Sequence, residues 1–168
     1  VIHCQVPNLS SASLLKEIIL EDCVGLEQVV PDVLPPLLES FSFFITDDAI
    51  PKISSISLEG LAKLKSVLLR GVMENLQELD LSGTAVKTLD LRKVVALNLK
   101  KLILLGCEKL QTIQHPSSNK WPRRFEVLRI DTIRSASSAQ ANWEEKTKET
   151  IAAIGSSCIA AVPSEKPA

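Results

Sequence analysis

The two stretches that decide the fold are LKKLILLGCEKLQTI (Leu99–Ile113) and LKEIILEDCVGLEQV (Leu15–Val29). Both follow the pattern L-x-x-L/I-x-L-x-x-C-x-x-L-x-x-V/I, so six apolar or cysteine positions agree in phase. ISSISLEGLAKLKSV (Ile53–Val67) keeps this phase with Leu61 in place of the cysteine, and a fourth copy begins at Leu76. One such unit cannot bury its own apolar side chains, so the pattern predicts a stack of repeated units.

The spacing of the units indicates the repeat class. With partial copies at Leu38 and Phe125, the units begin at residues 15, 38, 53, 76, 99 and 125. All steps but one lie in the roughly 20–29-residue range of leucine-rich repeats. The short step from 38 to 53 leaves two alternatives, an irregular strand at 38–45 or a shortened loop after it. We therefore predict an α/β leucine-rich-repeat solenoid over residues 1–134, with a curved parallel sheet on one side and an irregular or short helical opposite side.

The residue nine positions into each unit is expected to turn the chain after the strand. This position holds Cys23, Leu61, Thr84 and Cys107. A hydroxyl or thiol there can bond the backbone of the turn, whereas Leu61 has to be held by packing alone.

The repeat pattern ends near residue 134. Residues 135–168 are expected to form a Ser/Ala-rich tail with a helix over 139–154 and a disordered end, and residues 114–124 are expected to form a loop because of their Pro and Ser content. The chain starts at Val1 and its only methionine is Met73, which suggests a fragment or a processed product.

Composition excludes several function classes. The 168 residues carry 19 Lys and Arg against 20 Asp and Glu, a net charge of -1, which argues against a general electrostatic grip on nucleic acid. Hydrophobic residues make up 45% and aromatic residues only 4%, so the core is aliphatic and suits stacked leucine-like side chains. No stretch is long enough to span a bilayer, and the separated cysteines favour a reduced intracellular setting.

Residues 75–86 and 99–110 resemble plant nucleotide-binding leucine-rich-repeat (NB-LRR) disease-resistance proteins. The C-x-x-L-x-x-L/I continuation is typical of that cytoplasmic class, whereas the Gly-x-Ile-Pro motif usual in extracellular plant repeats is absent. The resemblance implies a role in plant defence and innate immunity, in which the repeats recognise a protein and hold a nucleotide-binding switch inactive. The partner would be a pathogen effector, a guarded host protein or the receptor's own nucleotide-binding domain.

The resemblance implies no cofactor in this chain. The phosphate-cradling loop G-x-x-x-x-G-K-[ST] is absent, so ADP or ATP would bind a separate nucleotide-binding domain. An alternative is a stand-alone repeat adaptor or scaffold, such as the substrate reader of a ubiquitin ligase, which would use the same surface.

The predicted protein-contact surface is the concave strand face, where the x positions of L-x-x-L-x-L leave the core. Exposed apolar residues among charges suit a protein interface. The other interpretation is cross-strand ion pairing with isolated surface apolar residues. The predicted contact residues are Lys16, Glu17, Ile19, Gln77, Glu78, Asp80, Lys100, Lys101, Ile103, Leu105 and Arg129.

No arrangement in the sequence indicates an enzyme or a metal site. His3 and His115 are far apart and no Cys/His or Asp/His group accompanies them. The cysteines Cys4 and Cys158 stand alone near the two ends. The run Lys120–Arg124 places Trp121 among basic residues, but it is interpreted as a loop packed on the stack rather than as a nucleic-acid site.

Overall fold

The computed structural model of the chain describes residues 6–46, 48–114 and 126–130. The chain coils into a parallel-sheet β-solenoid of about four turns. Within the described residues, helix is limited to one 3-10 turn at Pro31–Val33. The strands are β1 (Glu17–Glu21), β2 (Gln28–Val29), β3 (Ser40–Phe44), β4 (Ser55–Ser57), β5 (Ser66–Val72), β6 (Glu78–Asp80), β7 (Thr88–Asp90), β8 (Val94–Val95), β9 (Lys101–Leu104), β10 (Thr112–Gln114) and β11 (Val127–Ile130).

Each turn of the solenoid contributes strands to two different sheets. The first sheet has the order β1-β3-β5-β8, and the second sheet has the order β2-β4-β6-β9-β11. A two-stranded ribbon joins β7 and β10. The predicted irregular or helical side of the solenoid is therefore wrong, because that side is itself a parallel sheet. A second set of apolar i, i+3, i+5 positions, beginning at Leu15, Leu38 and Leu64, forms it.

The two-sheet arrangement explains the short predicted step. The units that begin at Leu15 and Leu38 enter the first sheet as β1 and β3, whereas the unit that begins at Ile53 enters the second sheet as β4. The step from 38 to 53 thus crosses between sheets and does not separate stacked neighbours. The Leu38 unit forms a regular five-residue strand paired on both sides, so neither an irregular strand nor a shortened loop is needed.

The common phase also predicts that Leu15–Val29 and Leu99–Ile113 stack strand on strand. This prediction is wrong, because β1 and β9 lie in different sheets. The two copies share a local turn instead. Asp22 has a φ of 53°, and Gly106, at the matching position of the other copy, has a φ of 68°. The same turn serves both sheets, so local sequence similarity does not reveal which sheet a strand joins.

Inward side chains from both sheets meet in one core. Phe41 and Phe43 from β3 are fully buried, as are Ile56 from β4 and Leu102 from β9. Full burial of such a side chain contributes roughly 1.5–3 kcal/mol. The alternating pattern of burial leaves every second residue of each strand on an outer face.

The predicted bond to the backbone of the residue's own turn is confirmed at Thr84 and is longer at Cys23, whereas the shortest bond of Cys107 goes to the preceding turn. The Thr84 hydroxyl donates to the carbonyl of Leu81 at 2.8 Å, and the Cys107 thiol donates to the same carbonyl at 3.1 Å. The Cys23 thiol lies 3.8 Å from the carbonyl oxygen of Glu21. The hydrogen bond of Cys107 reaches back to the preceding turn of the solenoid, so this residue ties neighbouring turns together.

The tail at 135–168, with its predicted helix at 139–154, lies outside the described residues. The same holds for His3, Cys4, His115, Cys158 and the Lys120–Arg124 run. Gln114, predicted to begin a loop, is instead the last residue of β10.

Candidate protein-binding face

The outer face of the second sheet carries most of the predicted contact residues. Cross-strand partners line up in two rows across this sheet. Backbone bonds from Gln77 N to Ser54 O and from Lys100 N to Gln77 O, both 2.8 Å, hold the start of the strands. We call the following set the charged face: Ser55, Glu78, Lys101 and Val127 in one row; Ser57, Ile103 and Arg129 in the next; Gln77 and Lys100 before the strands.

The orientation of these side chains follows from the buried residues between them. Leu79 and Leu102 point into the core, with 1% and 0% of their surface exposed. Strand residues alternate between faces, so Glu78 and Lys101 point outward beside each other. Lys101 and Arg129 are exposed, while Glu78, Ile103 and Val127 are half-buried.

Opposite charges on the charged face are neighbours, since Glu78 stands opposite Lys101 in the parallel register. The ion pairs found in the described part of the chain lie elsewhere. They join Glu39 to Lys16 and Lys65, and Asp90 to Arg92. No ion pair of the described residues uses Glu78, Lys100 or Lys101, so the alternative of cross-strand ion pairing is not observed at these three residues.

Asp80, one of the predicted contact residues, is buried in the structure. It is only 9% exposed, and its Oδ1 accepts a hydrogen bond from the backbone N–H of Ser82 at 2.9 Å. The Ser82 hydroxyl in turn accepts from the N–H of Leu105 at 3.1 Å. Asp80 and Ser82 thus brace the turn after β6, and they fix the backbone at the half-buried Leu105.

Three predicted contact residues lie elsewhere. Lys16, Glu17 and Ile19 belong to β1 and its approach, and β1 is part of the first sheet. Lys16 is placed 3.9 Å from Glu39, which precedes the neighbouring strand β3. The prediction that these residues share one strip with Lys100 and Lys101 is wrong, because the phase comparison aligned strands from opposite sheets.

The outer face of the first sheet was missed as a surface of its own. Its outward residues include Ile19, Phe44, Leu68, Arg70 and Val72. A signal for it was present in the sequence, since Leu15, Leu38 and Leu64 each begin an apolar i, i+3, i+5 pattern at full-turn spacing. This column of three leucines belongs to the first sheet alone and distinguishes its strands from those of the second sheet.

One titrating group has a clear environment, at the turn between β7 and β8. The guanidinium of Arg92 donates to both carboxylate oxygens of Asp90, at 3.0 and 2.9 Å. This hydrogen bonding lowers the pKa of Asp90, and a backbone bond from Arg92 adds to the effect while burial opposes it. The pair fixes a turn and lies away from the charged face.

The described residues offer no metal site, although a cleft lies beside β2. They hold no group of three or more His, Cys, Asp or Glu side chains that could bind a metal ion. A shallow cleft of about 440 Å³ lies beside β2. It is lined by Val6, Gly25, Leu26, Glu27, Gln28, Val33 and Lys52.

Within the ranges described above, no helix has the length and apolar character needed to cross a membrane. Comparison of the chain with models of known protein families, with curated proteins and with solved structures found no match.

Proposed function

We propose that this chain is a leucine-rich-repeat domain that recognises protein partners through its charged face. We further propose that it belongs to an intracellular plant immune receptor, where it also helps to hold a nucleotide-binding switch inactive. The repeat pattern of Leu76–Val86 and Leu99–Leu110 supports the repeat class, together with the 23-residue register between Glu78 and Lys101.

The charged face is the observation that carries the recognition role. Glu78 and Lys101 are held side by side by the backbone ladder, and neither takes part in the ion pairs of the described residues. A partner that supplies complementary charges would gain these interactions without first having to break an internal pair. The half-buried Ile103 and Val127 add apolar contact area between the charges.

The mechanism is binding without chemistry. A parallel sheet held by inter-turn hydrogen bonds presents the charged face as a preorganised surface, which limits the entropy lost when a partner binds. A ligand that binds more tightly to one state of the receptor shifts the equilibrium toward that state. Autoinhibition is the same process with the receptor's own nucleotide-binding domain as the partner.

The size of the native polypeptide separates the receptor from the adaptor alternative. An antibody against residues 139–154 would be used on an immunoblot of source tissue. A band well above the 18.3 kDa of this chain is expected for a receptor that includes a nucleotide-binding region. A band at the size of this chain would reject the receptor and favour a stand-alone adaptor.

Charge reversal tests the face itself. We expect Lys100→Glu with Lys101→Glu to weaken binding to the nucleotide-binding region of the same polypeptide about tenfold or more, because like charges at an interface are costly. Co-precipitation and ligand-independent signalling in leaves would measure this loss. Lys63→Glu with Lys87→Glu is the matched control, since both lysines are exposed and lie off the charged face. Equal effects of the two double variants, or no effect of the first, would contradict the assignment.

A further inference from the structure

The outer face of the first sheet carries an apolar patch that the proposed function does not use. Three of the six large apolar side chains exposed in the described residues lie on it: Ile19 at 54%, Leu68 at 39% and Val72 at 49%. Phe44 and Val95, both half-buried, lie between and beside them. We call these five residues the apolar patch.

The strand register makes the patch continuous. Ile19 is opposite Ser42, and Ser42 is opposite Leu68, so a small buried serine separates the two exposed residues. One row further along, Phe44 stands between Glu21 and Arg70. Val72 is paired with Val95 at the β8 edge.

Charges on this face differ between its β1 edge and the inner strand β5. The β1 edge is acidic, with Glu17 and Glu21 pointing outward, while Arg70 on β5 is basic. Lys93 lies beside Arg70, since its carbonyl accepts the N–H of Gly71 at 3.0 Å. In the part of the chain that the structure describes, no ion pair uses Glu17, Glu21 or Arg70.

We propose that the apolar patch binds a second copy of this chain, face to face, about a two-fold axis that runs parallel to the strands, above β3 and midway between the two outer faces. This rotation exchanges β1 and β5, so Ile19 of each copy meets Leu68 of the other and the two Phe44 rings meet at the axis. It also brings Glu21 of each copy to Arg70 of the other, which creates two identical charge pairs. This self-complementarity identifies a second copy as the partner, and it does not depend on the proposed function.

Other arrangements are less favourable. A two-fold axis across the strands would place Glu21 over Glu17 of the second copy. Even in the proposed arrangement, the row of Lys16, Glu39 and Lys65 at the strand starts would meet like charges. The contact is therefore centred on the Phe44 end of the sheet, away from that row.

The small area of the apolar patch limits the affinity that we expect for the dimer. In the proposed arrangement three strands, β1, β3 and β5, face their counterparts; at a spacing of about 4.8 Å and a length of a few residues they present only a few hundred Å². Stable interfaces bury about 800 Å² on each partner. We therefore expect a weak and reversible dimer that forms at high micromolar concentration.

Sedimentation velocity of the 168-residue chain between about 5 and 500 μM tests this inference over the range where weak interfaces associate. The expected result is a shift from the 18.3 kDa monomer toward twice that mass. Glu21→Arg or Arg70→Glu alone should weaken association about tenfold, since each substitution creates two like-charge contacts per dimer. Glu21→Arg combined with Arg70→Glu should restore it, because the charge pairs re-form with reversed sign.

Controls separate the proposed geometry from general stickiness. Lys101→Glu on the charged face should leave association unchanged, and Leu68→Ser should weaken it. Circular dichroism would establish that each variant is folded. A chain that remains monomeric at 500 μM, a double variant that does not recover, or an equal effect of Lys101→Glu would overturn the proposal.

Discussion

At the residue scale, Gly71 has the closest backbone neighbour among the described glycines with positive φ. Its φ is 119°, which side-chain-bearing residues rarely adopt. A Cβ at this position would overlap the carbonyl oxygen of Ile45 and lie 2.8 Å from the Ile45 Cβ. Gly60 also has a positive φ, 81°, but a Cβ added there would meet no atom within 4 Å, so the two glycines separate steric overlap from backbone strain.

Alanine at these two glycines should therefore have different effects. Gly60→Ala should cost about 1 kcal/mol in the free energy of unfolding, through backbone strain alone. Gly71→Ala should cost about 3 kcal/mol or more, because the Ile45 backbone is fixed in the neighbouring turn. Urea denaturation followed by circular dichroism measures both. Equal losses would show that the solenoid relaxes around Gly71.

At the element scale, short strands in this solenoid are held by side chains at their ends. Asp80 bonds the turn after β6, and Asp90 does the same after β7 by accepting from the N–H of Arg92 at 3.0 Å. The Asp90 carboxylate is additionally held by the Arg92 guanidinium, which lowers the pKa of Asp90. The turn after β7 is therefore sensitive to the charge of one carboxylate.

The lowered pKa predicts a pH effect at Asp90. A carboxyl whose pKa is lowered by folding adds stability above its unfolded pKa, about 3.9, and loses it as the pH falls through the folded value. Asp90→Asn should thus be less stable than the parent chain at pH 7, by less than about 1 kcal/mol because Arg92 is largely exposed. The gap should close below about pH 4. Unfolding of the parent chain and of Asp90→Asn, measured from pH 7 to pH 3, tests this prediction. In a chain that already carries Arg92→Gln, the stability difference caused by Asp90→Asn should be much smaller. A difference that grows as the pH falls would contradict the prediction.

At the scale of the whole molecule, the two sheets share one apolar core. Buried residues from Ile18 to Ile113 form a single cluster that includes Phe43 from the first sheet and Leu79 from the second. Each turn contacts mainly its neighbours, as in other solenoids, but no polar layer divides the described turns. Unfolding is therefore expected to be one cooperative transition.

A leucine-to-alanine substitution at a buried position and at an exposed position tests this expectation. Leu79→Ala, at 1% exposure, should cost about 3 kcal/mol, whereas Leu68→Ala, at 39%, should cost less than about 1 kcal/mol. Hydrogen exchange in Leu79→Ala should show protection lost together in β3 and β9. Loss confined to the strands beside Leu79 would show that the turns unfold independently.

The sequence pattern predicts individual strands better than their assembly. The strands after Leu76 and Leu99, their inward leucines and the bond at Thr84 all follow from local spacing, whereas the bond from Cys107 to the preceding turn does not. Sheet membership does not, because the turn at Asp22 and the turn at Gly106 have the same local form in opposite sheets. Asp80 was misplaced for a related reason, since its outward position on the strand does not show that its carboxylate bends back to Ser82.

This local equivalence of the two sheets has a consequence for how such a chain can evolve. An insertion or deletion of a whole turn keeps every later strand in its sheet, with the outer faces unchanged. An insertion or deletion of half a turn would still let the inward leucines stack, but every later strand would join the opposite sheet. Charged residues such as Lys101 would then lie on the same outer face as the apolar patch, so a single length change could switch the outer faces of all later strands while the core remained intact.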